Sequence, residues 1–304
     1  PANSYTVELE VPSDLPLVVT ADDEGYFSGE VSAFSNGFYR VNLQLNQAPG
    51  IVESTTSSLR LQVDGDAPTL ISSEPSFIPA NATNLILQFS LQDGVAEIQL
   101  DDGKANALSE TMLEQLLAAI AKAAEADAAL LIIGRPGIFS GGYDRKLIDA
   151  GGPACDAMRA AGDRLTLALL DYPAPVVIAA TGHAMAKAAF MLLLADYRLG
   201  TEGDYRVSLN EVAIGMTMPD GAMLQARARL SPQWLNRCVL QAEVFASAGA
   251  LEVGFFDELQ PADQLLERAR AKTRQLAGLD RRAYRETRAL LNAPLREAFV
   301  GLLG

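Results

Sequence analysis

The sequence predicts two domains, a small antiparallel β-sandwich followed by an α/β domain built on parallel strands, and three observations carry that prediction. Composition breaks near residue 90: residues 1–90 hold no Lys and only Arg40 and Arg60 against eleven acidic residues, while the remainder carries nearly all the basic charge. Before the break, apolar and polar residues alternate with period two. After it, strand-like and helix-like segments alternate along the chain. A length of 304 residues accommodates two ordinary domains, each with its own core.

In the first segment, Tyr5–Val11, Tyr26–Phe34, Phe38–Leu45 and Ser58–Val63 alternate as half-buried strands do. Asp22-Asp-Glu-Gly25, Ser35-Asn-Gly37 and Ala48-Pro-Gly50 supply turns, since Gly and Asn accept positive φ at little cost. Val19-Thr-Ala-Asp-Asp-Glu-Gly25, Asn36-Gly-Phe-Tyr39 and Val63-Asp-Gly-Asp-Ala-Pro68 resemble the bacterial Ig-like repeats of surface adhesins. That resemblance covers residues 1–68 and implies an Ig-like β-sandwich acting as a spacer or binding module at the cell surface. Asp64 and Asp66 are read as a solvated linker, with an interdomain calcium site as the alternative. Residues 69–91 are a seam: Ala67–Phe77 reads as the entry strand of another repeat, and Asn84–Leu91 runs on without a flexible linker.

From there the pattern is strand Val95–Leu100, helix Glu110–Ala126 with Ser109 as N-cap, strand Leu130–Ile133, helix Ala154–Leu170, then strand Val176–Ala180. Strands alternating with helices imply parallel pairing through crossovers. Beyond about Pro219 the chain reads as almost wholly helical.

Bulk properties exclude several functions. A net charge of −14 repels nucleic acid and acidic lipid head groups. No apolar run reaches the roughly 18 to 20 residues of a membrane span. Cys155 and Cys238 stand far apart with no partner spacing, so they read as buried small residues, with neither a disulfide nor a metal site implied. The single histidine, His183, has no G-x-S-x-G elbow to complete a hydrolytic triad.

Three loops fall beyond strand ends, where α/β proteins place their sites. Gly134–Asp144 carries paired glycines that let backbone N–H groups approach a ligand oxygen. Ala180–Phe190 turns a strand into a helix of small and apolar residues, and two amide-presenting turns together suggest an oxyanion hole. In Val207–Pro219, Glu211 is the only charge, and apolar surroundings raise a carboxyl pKa toward the range of a general base.

Taken in order, these loops resemble the crotonase superfamily across residues 92–304. The resemblance implies an α/β superhelix of ββα units with a helical C-terminal region. Asp102-Gly-Lys-Ala-Asn-Ala-Leu108 looks like the family's opening, so Lys104, Ala105, Ala107 and Leu108 are expected at the CoA moiety. Phe139-Ser-Gly-Gly-Tyr-Asp144 looks like its first oxyanion loop, which places one amide donor on Gly141 and substrate contacts on Gly142, Tyr143 and Asp144. Alignment through Gly182 and Asp196 places the second donor on Lys187. Asp196-Tyr-Arg198 and Leu209-Asn-Glu-Val212 look most like enoyl-CoA isomerases, whose single catalytic glutamate corresponds to Glu211. Ala248–Asp257 resembles a later helix and turn of the family and adds no chemistry.

Two departures refine the expectation. Where a hydratase has its first glutamate, this chain has Phe190, also expected at the substrate, and the loss of one of two carboxylates disfavours adding water. Lys187 stands where the family has a small residue, and its side chain has three open directions: solvent, an acyl-CoA phosphate, or the acyl pocket. The expected activity is Δ3-Δ2 enoyl-CoA isomerisation on an acyl-CoA substrate, with hydratase or another crotonase-type lyase or hydrolase as the alternative. A surface module with an inactive crotonase domain is the reading from another class. No metal and no cofactor beyond substrate CoA are expected. The family resemblance implies a cytoplasmic homotrimer or hexamer.

Overall fold

The computed structural model describes residues 6–10, 20–21, 27–28, 37–44, 56–63, 87–92 and 94–303. The chain divides into two compact units, Pro1–Pro75 and Ser76–Gly304. In the first unit, β1 (Thr6–Glu10), β4 (Gly37–Gln44) and β5 (Thr56–Val63) form an antiparallel sheet in the order β1-β4-β5. A second antiparallel pair joins β2 (Thr20–Ala21) to β3 (Phe27–Ser28). Strands β1, β4 and β5 overlap the period-two segments Tyr5–Val11, Phe38–Leu45 and Ser58–Val63, and of Tyr26–Phe34 only Phe27–Ser28 is described. The turns at 22–25 and 48–50, the aspartates Asp64 and Asp66, and residues 69–86 lie outside the described residues.

The second unit is built on a six-stranded sheet. Its strands are β6 (Leu87–Gln92), β7 (Val95–Leu100), β8 (Ala129–Ile133), β10 (Val176–Ala180), β12 (Tyr197–Thr201) and β14 (Glu258–Gln260), in the order β14-β12-β10-β8-β7-β6. All neighbours are parallel except β6, which pairs antiparallel with β7 along the edge. Leu87–Leu91, assigned to the seam by sequence, is therefore part of this sheet. Three residues at β14 are too few to show a strand pattern, which is why the C-terminal region reads from sequence as helix alone.

Strands β8 and β10 are wholly buried. Leu130, Ile132, Val176 and Ile178 face the main core, and Leu131, Ile133, Val177 and Ala179 face a second cluster closed by Leu265 and Ala269. Both faces of these strands are covered, so their continuous apolar runs cannot slip register without exposing one set.

On the main-core side lies α1 (Glu110–Glu125), where Ser109 accepts from the Met112 amide at 3.2 Å. Its Met112, Leu113, Leu116, Ile120 and Ala123 make the helical stripe that buries it. After α2 (Arg145–Ala150) comes α3 (Gly152–Leu170), which contributes Met158, Leu165 and Leu169 to the same core. The C-terminal part supplies α5 (Asp220–Arg229), α6 (Leu235–Val239), α7 (Ser247–Val253), α8 (Leu265–Ala277) and α9 (Arg281–Val300), and α8 covers the opposite face of the sheet. Among the described residues no helix is long and apolar enough to cross a membrane. Both cysteines are buried and unpaired.

A second, smaller sheet positions the site. β9 (Gly137–Ser140), β11 (Gly182–Met185) and β13 (Val207–Ser208) run parallel in the order β13-β11-β9, and α4 (Lys187–Leu192) starts just beyond β11. From sequence these segments read as loops, because strands of two to four residues fall below the length at which period two is visible. Parallel pairing puts the three carboxyl ends side by side. The chain segments Gly141–Tyr143, Lys187 and Glu211 therefore emerge at one edge.

Candidate active site

The first loop rests on a preformed turn within Asp102–Leu108, the segment expected at the CoA moiety. The Asp102 carboxylate accepts from the amides of Lys104, Asn106 and Ala107 at 2.7, 2.8 and 3.0 Å. Asn106 is fully buried at φ 49°, and its amide nitrogen donates to the carbonyls of Leu100 and Phe139 at 2.9 and 3.0 Å. Asn tolerates this left-handed backbone better than most side chains. Ser140 Oγ donates to the Asn106 carbonyl at 2.6 Å. The turn fixes the opening segment against β9, and its only advance signal was an Asx pattern of Asp and Asn four residues apart.

This arrangement corrects one assignment. The Gly141 amide, expected to be an oxyanion donor, is committed to the Ala105 carbonyl at 2.8 Å, so it is not available to a ligand. Two residues on, the situation reverses. The Gly142 carbonyl accepts from the Leu108 amide at 2.8 Å, and in a trans peptide the Tyr143 N–H must point the opposite way. Among the described residues the Tyr143 amide has no partner, and neither has that of Lys187, the first residue of α4. The two unpaired amides at this edge are thus those of Tyr143 and Lys187.

Gly142 brings these donors together. Its φ is +85°, and a Cβ there would lie 2.7 Å from the Met185 carbonyl oxygen, 3.0 Å from Ala186 Cβ and 3.3 Å from the Lys187 nitrogen. Backbone cannot yield as a flexible side chain does. Gly142→Ala is therefore expected to push the loop off α4 and lower turnover about 100-fold, a loss that steady-state kinetics on the folded variant will read. Wild-type kcat would show that the two segments need not touch.

Other expected contacts divide. Lys104 and Ala105 are exposed and Ala107 is half-buried, which leaves the turn accessible. The Leu108 side chain is fully buried in the core, so only its backbone belongs to the site edge. Asp144 caps α2, accepting from the Lys146 amide at 2.9 Å. Phe190 is core, 2% exposed. His183 Nδ1 accepts from the Arg206 amide at 2.8 Å, a structural use that removes it from any triad.

The Lys187 side chain takes the inward direction. It is 7% exposed, its Nζ donates to Thr166 Oγ1 on α3 at 2.8 Å, and it stands 5.9 Å from the centroid of the Tyr143 ring. Thr166 in turn donates to the Gly162 carbonyl at 3.1 Å, so its lone pairs remain for the ammonium. Room for Tyr143 comes from Gly162, where a Cβ would sit 1.8 Å from the phenol oxygen. Burial lowers the Lys187 pKa to about 8, with Asp163 and then Glu211 opposing the drop.

Glu211 is 6% exposed, and its Oε2 has no hydrogen-bond partner. Burial raises its pKa, as its apolar setting predicted, while its own backbone N–H and the Lys187 charge pull it back. Burial also raises Asp163, and Lys187 again opposes. Asp163 and Thr166 were missed in the sequence. The one available signal was Thr166 falling on the apolar stripe of α3 beside Leu165 and Leu169.

Two unpaired amides beside a buried carboxylate can hold an oxyanion and move a proton next to it. The enoyl-CoA hydratase/isomerase family matches residues 90–301. Over 184 residues the chain is 29% identical to the mitochondrial enoyl-CoA delta isomerase 1 of Rattus norvegicus, covering 59% of this chain and 63% of that protein, which is less than two thirds of its length. Among solved structures it is similar to an enoyl-CoA hydratase/isomerase family protein from Pseudomonas syringae, with TM-score 0.69, 37% identity, and coverage of 71% of this chain and 94% of that one. The enoyl-CoA hydratase EchA3 from Mycobacterium ulcerans Agy99 gives TM-score 0.68, 37% identity, and coverage of 71% and 95%. Relatives carry both isomerase and hydratase names, and the match from residue 90 to 301 takes in well over half of the chain: this protein belongs to the enoyl-CoA hydratase/isomerase family of the crotonase superfamily of enzymes.

Proposed function

We propose that this protein is a Δ3-Δ2 enoyl-CoA isomerase. The observation that carries the reading is a single buried carboxylate with a free oxygen, Glu211 Oε2, emerging beside the unpaired amides of Tyr143 and Lys187. The thioester carbonyl accepts from both amides. Glu211 takes a proton from C2, and the C–H electrons pass into the enolate. Protonation by Glu211 at C4 moves the double bond to C2–C3, so no atom is gained or lost. Each amide contributes about 3 to 4 kcal/mol to the transition state. The exposed turn at Lys104–Ala107 is the place for CoA.

Hydration of a 2-enoyl thioester is the second reading. Asp163 favours it, as a second partly buried carboxylate that acts on Lys187. Phe190 speaks against it, since α4 offers no acid where the hydratase pattern has one. Turnover of 3-enoyl-CoA at least tenfold above hydration of 2-enoyl-CoA is expected. The reverse ratio would make the protein a hydratase, and failure of the full chain to bind either thioester would end both readings.

For the first unit, the antiparallel strands support the Ig-like spacer reading. Cell-surface placement for that unit and cytoplasmic placement for the enzyme unit are proposals from the two resemblances, as is a trimer or hexamer.

A further inference from the structure

The residues that present the two unpaired amides also send their side chains to one place. Tyr143 comes from the loop after β9 and Lys187 from the first turn of α4, yet both side chains reach α3, at Gly162 and Thr166. Residues four apart stack on the same side of a helix. At Gly162 a Cβ would lie 1.8 Å from the Tyr143 phenol oxygen and 2.7 Å from the ring carbon that bears it, so the ring lies directly on the helix backbone. At Thr166 the Lys187 ammonium donates to Oγ1 at 2.8 Å. The hydroxyl itself donates to the Gly162 carbonyl at 3.1 Å, which leaves an oxygen lone pair for Nζ and ties the two contact points to each other. Nζ also stands over the Tyr143 ring, 5.9 Å from its centroid, which sets the two side chains against one another.

The backbone ahead of Lys187 is strained. Ala186 has φ 49° and ψ −123°, a conformation that glycine accepts and that an alanine adopts only where its surroundings impose it. Its amide donates to the Ser208 carbonyl at 2.9 Å, and its Cβ faces Gly142 so closely that a second Cβ there would come within 3.0 Å. Released from these contacts, the turn would relax and carry the Lys187 amide with it. The Lys187 side chain, buried and fastened at Thr166, opposes that movement from the other side.

We propose that the Gly162–Thr166 turn of α3 is a clamp that sets the distance between the Tyr143 and Lys187 amides, with Thr166 as a positioning residue and Gly162 as the gap that the Tyr143 ring requires. This rests on the reading of those amides as the oxyanion donors. A long side chain with a terminal donor spans from the first turn of α4 to α3, which a small residue at position 187 cannot do. The clamp acts on rate more than on binding. An amide displaced by a fraction of an ångström still admits the thioester but loses its value where charge develops, since a shift near 1 Å costs roughly 100-fold. Loss of the clamp therefore falls on kcat and spares KM.

The experiment pairs crystal structures with kinetics on the full chain. Thr166→Val keeps the shape of the side chain and removes the hydroxyl, whereas Thr166→Ser keeps the hydroxyl. In the unliganded protein the separation of the Tyr143 and Lys187 nitrogens is expected to change by about 0.5 Å in Thr166→Val and to match wild type in Thr166→Ser. With 3-enoyl-CoA, Thr166→Val is expected to lower kcat about tenfold with KM within about threefold of wild type, and Thr166→Ser to stay within about twofold. Gly162→Ala displaces the Tyr143 ring and lowers kcat about 100-fold. Adding Tyr143→Leu, which shortens the colliding side chain and keeps the amide, regains about tenfold. An unchanged separation in Thr166→Val overturns the clamp, and so does a changed separation with wild-type kcat or an equal loss in Thr166→Ser. A separation that changes as expected in a protein whose wild type converts no enoyl-CoA leaves the clamp standing and overturns the functional reading instead. The Thr166 variants decide the matter if Gly162→Ala does not fold.

Discussion

Glu211→Gln is expected to lower double-bond migration by about 100- to 10,000-fold while leaving thioester binding within a few-fold of wild type. Gln keeps the volume and shape of the side chain, so the tight surroundings of Glu211 are not disturbed. What disappears is the carboxylate oxygen that accepts the C2 proton in the proposed isomerisation. The wild-type rate should fall as pH drops through the Glu211 pKa, because only the carboxylate is a base. Burial lifts that limb above the ordinary carboxylate range, and Lys187 limits the lift. The residual rate of Glu211→Gln should lack the acid limb. Turnover retained within tenfold, measured by loss of 3-enoyl-CoA, would place the base on another residue, with Asp163 the first to test.

The second large effect is on stability. Arg288 on α9 is 5% exposed and gathers the end of α3. It donates to the carbonyls of Leu170 and Tyr172 at 2.7 and 3.0 Å, to that of Leu169 at 2.8 Å, and through Nε to both Asp196 oxygens at 2.9 Å. Asp196 Oδ2 accepts in turn from the Val176 amide at 2.8 Å, at the first residue of β10. Arg288→Met takes the guanidinium from a partly buried carboxylate, which keeps only the Val176 amide among the bonds named above, and from the carbonyls of Leu169, Leu170 and Tyr172, of which that of Leu170 retains Asn292 at 3.2 Å. It is expected to cost about 3 to 5 kcal/mol in denaturant unfolding. Replacing both partners, as Arg288→Met with Asp196→Leu, should recover part of the loss, since no charge is then stranded. A cost below about 1 kcal/mol for the single change would mean that water reaches these groups.

The physical link between this network and the site is strand β10. Asp196 fixes its start, β11 follows it after Thr181, and the end of β11 sets where Lys187 emerges. A destabilised β10 therefore shifts the unpaired Lys187 amide relative to that of Tyr143, and the two large effects meet at one element.

Much of this architecture is legible in the chain itself. Val95–Leu100, Leu130–Ile133 and Val176–Ala180 are apolar enough to announce buried parallel strands, and Ser109 announces α1. The order of the three loops announces the family, and the lone charge of Glu211 announces a candidate base. Periodicity and composition are local properties, readable wherever a segment is long enough to repeat.

The rest depends on contacts between residues distant in sequence. Gly141 looked like a donor because paired glycines free the backbone, yet only the folded Asp102–Asn106 turn shows that Ala105 takes its amide and leaves Tyr143 instead. Lys187 had three open directions, and the choice was made by Thr166, twenty-one residues earlier on another element. The sequence alone determined the long buried strands β7, β8 and β10 and singled out Glu211 as the lone charge of the third loop, while the short strands β9, β11, β13 and β14 needed the fold. Tertiary structure decided which amides remain unpaired and which way the lysine turns, because hydrogen-bond partners and burial belong to the packed whole.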